Sequence, residues 1–316
     1  MGGGSAPRPR PGGAPGSGAS RHYLFLINMA AIYAILTLSL NFILGYLGLI
    51  SIGHAGFFAI GSYVSAALTL GLGAHFLVGL LGAALASMLA GFLLGFPALR
   101  LKGHYFVLVT LGFGEIVRLV LLNWKEVTRG TDGVIGIPPP TFGPWAIDTS
   151  AKFYYFSLVF VALTVLITHR LYRSKFGRSF VALKDAELAA EVVGVDAARV
   201  KLLAFGMSAF IAGIAGSLYA HFTSFISPEV YTIDVSVIIL LMLLVGGSGT
   251  ISGCLVGAAL LTFLPEWLRF LKEYYLILYG MGIVLIMVFL PDGIVGLARR
   301  LGLRGASAAL AGREGP

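Results

Sequence analysis

From Tyr23 to Leu290 long apolar runs alternate with short polar interruptions, and the runs set the architecture. Between Arg21 and Arg100 there is no Asp, Glu, Lys or Arg, which leaves room for about three membrane crossings at ~20 residues each. The first is Tyr23 to Leu44. The stretch Gly45 to Gly56, GYLGLISIGHAG, interrupts it; an apolar helix follows from about Phe57 to Leu70, and a third span from about His75 to Leu99. Tyr105 to Trp124 and Phe153 to Leu171 span again, separated by a polar loop, Lys125 to Ser150, that carries Pro138, Pro139 and Pro140. Leu202 to Phe222 makes another span and Thr223 to Asp234 a loop. Val235 to Val245 then runs into a second break, GGSGTISG, before Cys254 to Trp267 and a last span, Leu276 to Leu290. The pattern predicts an all-α polytopic membrane protein of about 8–10 transmembrane helices, including glycine-broken or re-entrant segments. Residues 1–21 form a basic Gly/Pro-rich tail expected to be disordered, 22–297 the membrane domain with a charged connecting loop at 173–201, and 298–316 a second tail.

One segment departs from this pattern. Arg173 to Lys201 carries Arg173, Lys175, Arg178, Lys184, Arg199 and Lys201 against Asp185, Glu187, Glu191 and Asp196. Within it Leu183, Ala186, Ala190 and Val193 recur at helical spacing and predict one short amphipathic helix. Its other side carries Lys184, Glu187, Leu188 and Glu191, and Gly194 ends it. Such a polar island either offers a surface to a cytosolic partner or lies on the headgroups as a solvated connector.

Composition supports the membrane reading: 58% of the 316 residues are hydrophobic and 11% charged, against about a quarter charged in soluble domains. The formal net charge of +8 does not point to nucleic acid, because the basic residues gather in connecting segments and tails, where they orient spans. The lone cysteine, Cys254, excludes an intrachain disulfide and a cysteine-based metal cluster. Arg8, Arg10 and Arg21 suggest a cytoplasmic N-terminus, and Arg299 and Arg300 a cytoplasmic C-terminus. With the island cytoplasmic as well, parity requires residues 45–72 to dip into the membrane and return to the outer side, and 235–268 to leave and regain it.

The two breaks resemble each other, Gly48 to Gly53 beside Gly249 to Gly253, and paired interruptions point to a midplane transport site built from discontinuous helices. Asn41, Ser51, Ser248, Thr250 and Ser252 cluster there, with backbone groups freed by Gly48, Gly53, Gly247 and Gly249; they either bind a polar solute or satisfy helix ends. His54 follows the first break as a hydrogen-bonded structural residue or a path residue. Glu115 lies mid-span with Arg118 one turn on, as an internal ion pair or on a substrate path. No phosphate-cradling loop, HExxH or nucleophile–base set is present. Energy for active transport would come from an ion gradient or another subunit, and a single central carboxylate favours the latter.

The runs LSLNFILGYLGLISIGHAGFFAIGSY, LRLKGHYFVLVTLGFGEIVRLV with TDGVIGIP, FGRSFVALKDAELAAEVVGVDAARVKLLAF, and LLVGGSGTISGCLVGA with LPDGIVG resemble, in family order from Leu36 to Leu297, the LivM-type permeases of branched-chain amino acid ABC importers, within the hydrophobic amino acid uptake family. The resemblance implies the ABC importer permease fold and an inner-membrane location. It also implies a second, LivH-like permease, two cytosolic ATPases of the LivG and LivF kind that bind the ATP, and a periplasmic amino-acid-binding protein; the chain itself needs no cofactor and is not an enzyme. It assigns ATPase coupling to Lys184, Asp185, Glu187, Leu188, Ala189, Ala190, Glu191 and Gly194, although Leu188 stands where the general importer signature has Glu. Two alternatives remain, a self-contained channel or secondary carrier for a small polar solute, and an ABC permease for urea or a related solute.

Overall fold

The computed structural model of the chain describes residues 15–98, 103–142, 145–268, 280, 281, 284 and 293–300. Thirteen helices can be followed there: α1 Pro15–Asn41, α2 Leu44–Leu47, α3 His54–Ala66 with a π-helical continuation Ala67–Gly71, α4 Phe76–Ala98, α5 His104–Asn123, α6 Lys125–Thr128, α7 Ser150–Tyr172, α8 Lys175–Asp185, α9 Glu187–Val192, α10 Ala197–Thr223, α11 Ile233–Gly246, α12 Ile251–Leu268 and α13 Gly293–Arg300. Seven described stretches are long and apolar enough to cross a membrane: 21–47, 76–97, 104–123, 150–172, 197–223, 228–246 and 251–268. Their helical form follows from the solvent, since lipid offers no partner to an exposed N–H or C=O and only a helix satisfies its own. The expected last span, Leu276 to Leu290, falls outside the described residues except at 280, 281 and 284, which are helical, and of the expected tail 298–316 only 298–300 is described, as the end of α13.

Contacts fix the direction of each helix. At one end, the loop end, Asn28 of α1 donates to the Ser150 carbonyl at the start of α7 (2.9 Å), Phe25 stacks on Phe222 at the end of α10, and His22 meets Glu266 at the end of α12 (3.1 Å). At the other, the island end, Tyr46 packs on Tyr172 at the end of α7, and Lys184 reaches the Gly45 carbonyl (2.8 Å). Thus α1, α4, α7 and α11 run from loop end to island end, and α3, α5, α10 and α12 run back. The most enclosed of the described spans is α10. Small residues let its neighbours close on it: a Cβ on Gly61 of α3 would lie 2.5 Å from the Gly213 carbonyl oxygen. Ser62 donates to the Gly216 carbonyl (2.9 Å), and Ser65 bonds Ser217 (2.7 Å). Close backbone approach and interhelical hydroxyls are how helices associate in lipid, where no hydrophobic force pulls them together.

At the loop end, β1 (Val134–Ile135) pairs antiparallel with β4 (Phe225–Ile226), and β2 (Thr141–Phe142) with β3 (Trp145–Ala146). Gly136 N–H also donates to the Ser224 carbonyl (3.0 Å), so the loop after α6 is tied to the turn after α10.

Four expectations change. The N-terminal end of α1 lies opposite the island, so the two cannot both be cytoplasmic; tail arginines were a poorer guide than the contacts made by Asn28 and Phe25. In consequence residues 45–72 do not dip and return: they start at the island end and finish at the loop end, whereas 235–268 does leave and regain the loop end, as parity required. Helix α1 also begins at Pro15, ahead of the boundary at 21, because proline's fixed φ and missing N–H suit a first turn. Finally, the single helix expected over 183–193 is two, α8 and α9, broken at Ala186 (φ −156°, ψ 88°). Leu183 and Ala190 are buried as the stripe required, but Ala186 and Val193 are exposed.

Candidate functional site

The two glycine breaks, far apart in sequence, meet at the island end. Helix α2 stops at Gly48, whose φ of 71° is open to glycine at no steric cost. The chain then climbs through 49–53 to α3. Asn41, the last residue of α1 and fully buried, accepts the Gly249 N–H on its Oδ1 at 2.8 Å across 208 residues. A Cβ on Gly45 would stand 2.7 Å from the Gly249 nitrogen, so the breaks touch backbone to backbone. Gly247 (φ 123°) and Gly249 (φ 81°) turn the chain between α11 and α12, and Gly293 of α13 packs on Gly247 with no space for a side chain.

The polar residues around this crossing divide in two. Thr250 is a helix cap: its Oγ1 accepts from the Gly253 N–H (3.1 Å) and donates to the Gly247 carbonyl (3.0 Å). Ser248 is exposed and Ser252 partly so. By contrast Asn41 Nδ2, Ser51 Oγ and His54 Nδ1 are buried without a hydrogen-bond partner. Such groups are costly in an apolar interior, so each calls for an explanation. His54 is held by Ser39 Oγ on its Nε2, and Gly53 lies against the Thr110 backbone of α5. Sequence reading missed Ser39, Thr110, Ser208 and Ser236. Thr110 Oγ1 accepts the Ile52 N–H (3.1 Å), Ser236 Oγ accepts the Ala55 N–H (2.9 Å), and Ser208 donates to the Ser39 carbonyl (2.6 Å). A hydroxyl within an apolar span was the sole signal for them.

Glu115 lies apart from the crossing, paired within α5 with Arg118 Nε (3.0 Å to each carboxylate oxygen) and with Arg118 Nη2. Of the seven spans α5 is the least enclosed, and Tyr105, Leu108, Ile116 and Leu119 are exposed along one face. Helices α3 and α5 touch where Gly56 meets Phe113 and Gly114, then splay toward the loop end. The wedge between them is a cavity of about 810 Å³ walled by Tyr63, Val64, Val117, Val120 and Trp124. No site residue expected from the sequence lines it.

At the island, α8 lies over α2 through buried Phe180 and Leu183. Glu187 is bonded by Lys201 of α10 at 2.6 Å. Gly194 (φ 91°) closes α9 in a Schellman turn, with its N–H to the Glu191 carbonyl and the Val195 N–H to the Ala190 carbonyl, both 3.0 Å. What remains outward is an apolar knob, Leu188, Val192 and Val193, 74%, 87% and 79% exposed, beside exposed Asp185, Ala189 and Glu191. Of the expected coupling residues, then, Lys184 and Glu187 are engaged within the chain, Ala190 is buried, and Leu188, Ala189, Asp185 and Glu191 face out.

Comparison with known proteins identifies the family. A family model described as branched-chain amino acid transport system / permease component matches residues 22–288. The chain is 39% identical over 305 residues to the high-affinity branched-chain amino acid transport system permease protein LivM of Salmonella typhimurium, covering 89% of this chain and 71% of that protein. It is 25% identical over 324 residues to the probable LivM of Methanocaldococcus jannaschii (84% and 90% covered), and 25% identical over 294 residues to the LivH permease protein of Escherichia coli K12 (85% and 93%). No solved structure matches.

Proposed function

The chain belongs to the family of permease components of branched-chain amino acid transport systems, and from that premise we propose that it forms one membrane half of an ATP-driven importer of leucine, isoleucine and valine. Its similarity to both LivM and LivH proteins supports a heteromeric pair with a LivH-like permease. ATP is bound and hydrolysed by two cytosolic subunits, a periplasmic binding protein delivers the amino acid, and this chain carries no cofactor of its own. The assembly sits in the bacterial inner membrane with the basic island inside, which leaves the N-terminal end of α1 and the β1–β4 loops outside.

The observation that carries the reading is the apolar knob standing on the crossed breaks. Leu188, Val192 and Val193 gain nothing from water, and burying side chains of this size in a partner returns about 1.5–3 kcal/mol each. Acidic Asp185 and Glu191 at the rim supply orientation and specificity. Force applied to the knob passes through α8 and α9 into α2 and α10. There Asn41, Gly45 and Gly249 hold two helix interruptions together, and moving one break against the other alternates access to the unpartnered Asn41, Ser51 and His54 groups. These groups, with Gly48, Gly53, Gly247, Gly249 and Thr250 shaping the backbone around them, form the polar part of the path; the Glu115–Arg118 pair, bonded within α5, lies outside it.

The test is reconstitution of the assembly in liposomes. ATP-dependent [14C]leucine uptake, competed by valine and isoleucine and absent without the ATPases, is the expected result. Nucleotide-independent flux through this chain alone would overturn the reading in favour of a channel or carrier, and competition by urea but not by valine would overturn the substrate.

A further inference from the structure

Lys184 is exposed, yet it is turned inward, and its contacts are specific. Its stem crosses Gly48, where a Cβ would lie 3.3 Å from Lys184 Cγ, and its Nζ donates to the Gly45 carbonyl at 2.8 Å. Gly45 is the second residue of the single-turn α2, too short for its later carbonyls to find intrahelical partners, which leaves this acceptor to the ammonium. On its other flank Gly45 is pressed against Gly249, near enough to exclude any side chain, and Asn41 clasps the Gly249 N–H. The ammonium is thus the first link of a short chain of contacts, Lys184 to Gly45 to Gly249, running from the island through the first break to the second. A second strut, Glu187 to Lys201, ties α9 to α10 and does not touch either break.

Resting on the importer reading above, we propose that Lys184 is the positioning residue that transmits movement of the island to the crossed breaks, rather than a residue that contacts the ATPase. It fixes the Gly45 carbonyl of α2 in place, so that displacement of α8 displaces Gly45 and, through it, Gly249. Without the ammonium α8 can slide over α2 while the breaks stay where they are. ATP would then be hydrolysed without the path changing sides.

The experiment compares wild type, Lys184→Met and Lys184→Arg in the reconstituted assembly, measuring leucine imported per ATP hydrolysed. Methionine keeps the stem over Gly48 and, at an exposed position, opens no cavity. The expected result is a fall of about ten-fold in that ratio for Lys184→Met, within the usual range of coupling between sites, with Lys184→Arg recovering most of it. A second readout uses Ser248→Cys, exposed beside the second break, in a chain whose own cysteine is buried. ATP changes its labelling rate when Lys184 is present and no longer does so in Lys184→Met. An unchanged import-to-hydrolysis ratio, or an unchanged ATP response of the label, overturns the proposal while the importer reading stands. Loss of ATPase co-purification in Lys184→Met overturns it too, because the residue would then belong to the docking face. Wild-type uptake that needs no ATP would overturn both.

Discussion

Two acidic residues one helical turn apart, Glu187 and Glu191, are predicted to respond differently to the same substitution. Glu187 accepts from Lys201 Nζ at 2.6 Å, with side-chain exposures of 33% and 11%. At an effective dielectric near 20 the attraction at that separation is about 6 kcal/mol, but most of it is offset by the hydration both groups gave up. Glu187→Ala leaves the ammonium nearly enclosed without counter-ion or acceptor. A fully buried orphan costs about 3–5 kcal/mol; with a third of the carboxylate in water and a lysine able to stretch outward, roughly 1–2 kcal/mol is expected. At about 2–4 °C per kcal/mol for a chain of this order of size, the midpoint of thermal unfolding in nanodiscs should drop by roughly 2–8 °C. Lys201→Met on top of Glu187→Ala removes the stranded charge and should recover most of that loss, because a long apolar side chain fills the same channel. Glu191, exposed and with no side-chain partner among the described residues, should leave the midpoint within about 1 °C when changed to alanine. Equal midpoints for Glu187→Ala and wild type, or a double variant no more stable than Glu187→Ala, would refute the argument that this pair anchors α9.

Leu188→Asp with Val192→Asp should leave the unfolding midpoint in place while lowering recovery of the ATPase subunits with the tagged permease by at least about ten-fold, the equivalent of roughly 1.4 kcal/mol of lost docking. Gly61→Val should act in the opposite sense. Its Cβ would meet the Gly213 carbonyl oxygen at 2.5 Å and the Gly213 Cα at 2.6 Å, forcing α3 off α10 at a cost of about 1–3 kcal/mol or more; size-exclusion profiles should show loss of the monodisperse species even with every partner present.

Span positions were legible in the sequence because a run without charge has one stable home in lipid. The expected start at Phe153 and the observed Ser150 differ by one turn, and the Leu202 start of the next span differs from Ala197 by little more. The two breaks and the Glu115–Arg118 pair were legible too, the first from glycine and the second from spacing along one helix face. The direction of α1 was not, since charge bias is a statistical preference whereas direction is decided by which partners Asn28, Phe25 and His22 find. Nor was the break at Ala186, where the residue is a strong helix former and no glycine or proline marks the place; α8 docking on α2 and Glu187 reaching Lys201 override local preference. The same limit hid Ser39, Thr110 and Ser236, because nothing in a linear sequence separates a hydroxyl that crosses to a neighbouring helix from one that bonds its own turn.

The small β1–β4 ladder at the loop end has a mechanical corollary. It stitches the segment after α6 to the turn after α10, and His221 held to the Pro138 carbonyl at 2.6 Å adds a second tie, so the loop-end rim is cross-linked between segments far apart in sequence. On the importer reading, movement imposed at the island has to be taken up below that rim, and the glycine crossing is the compliant layer placed to do so.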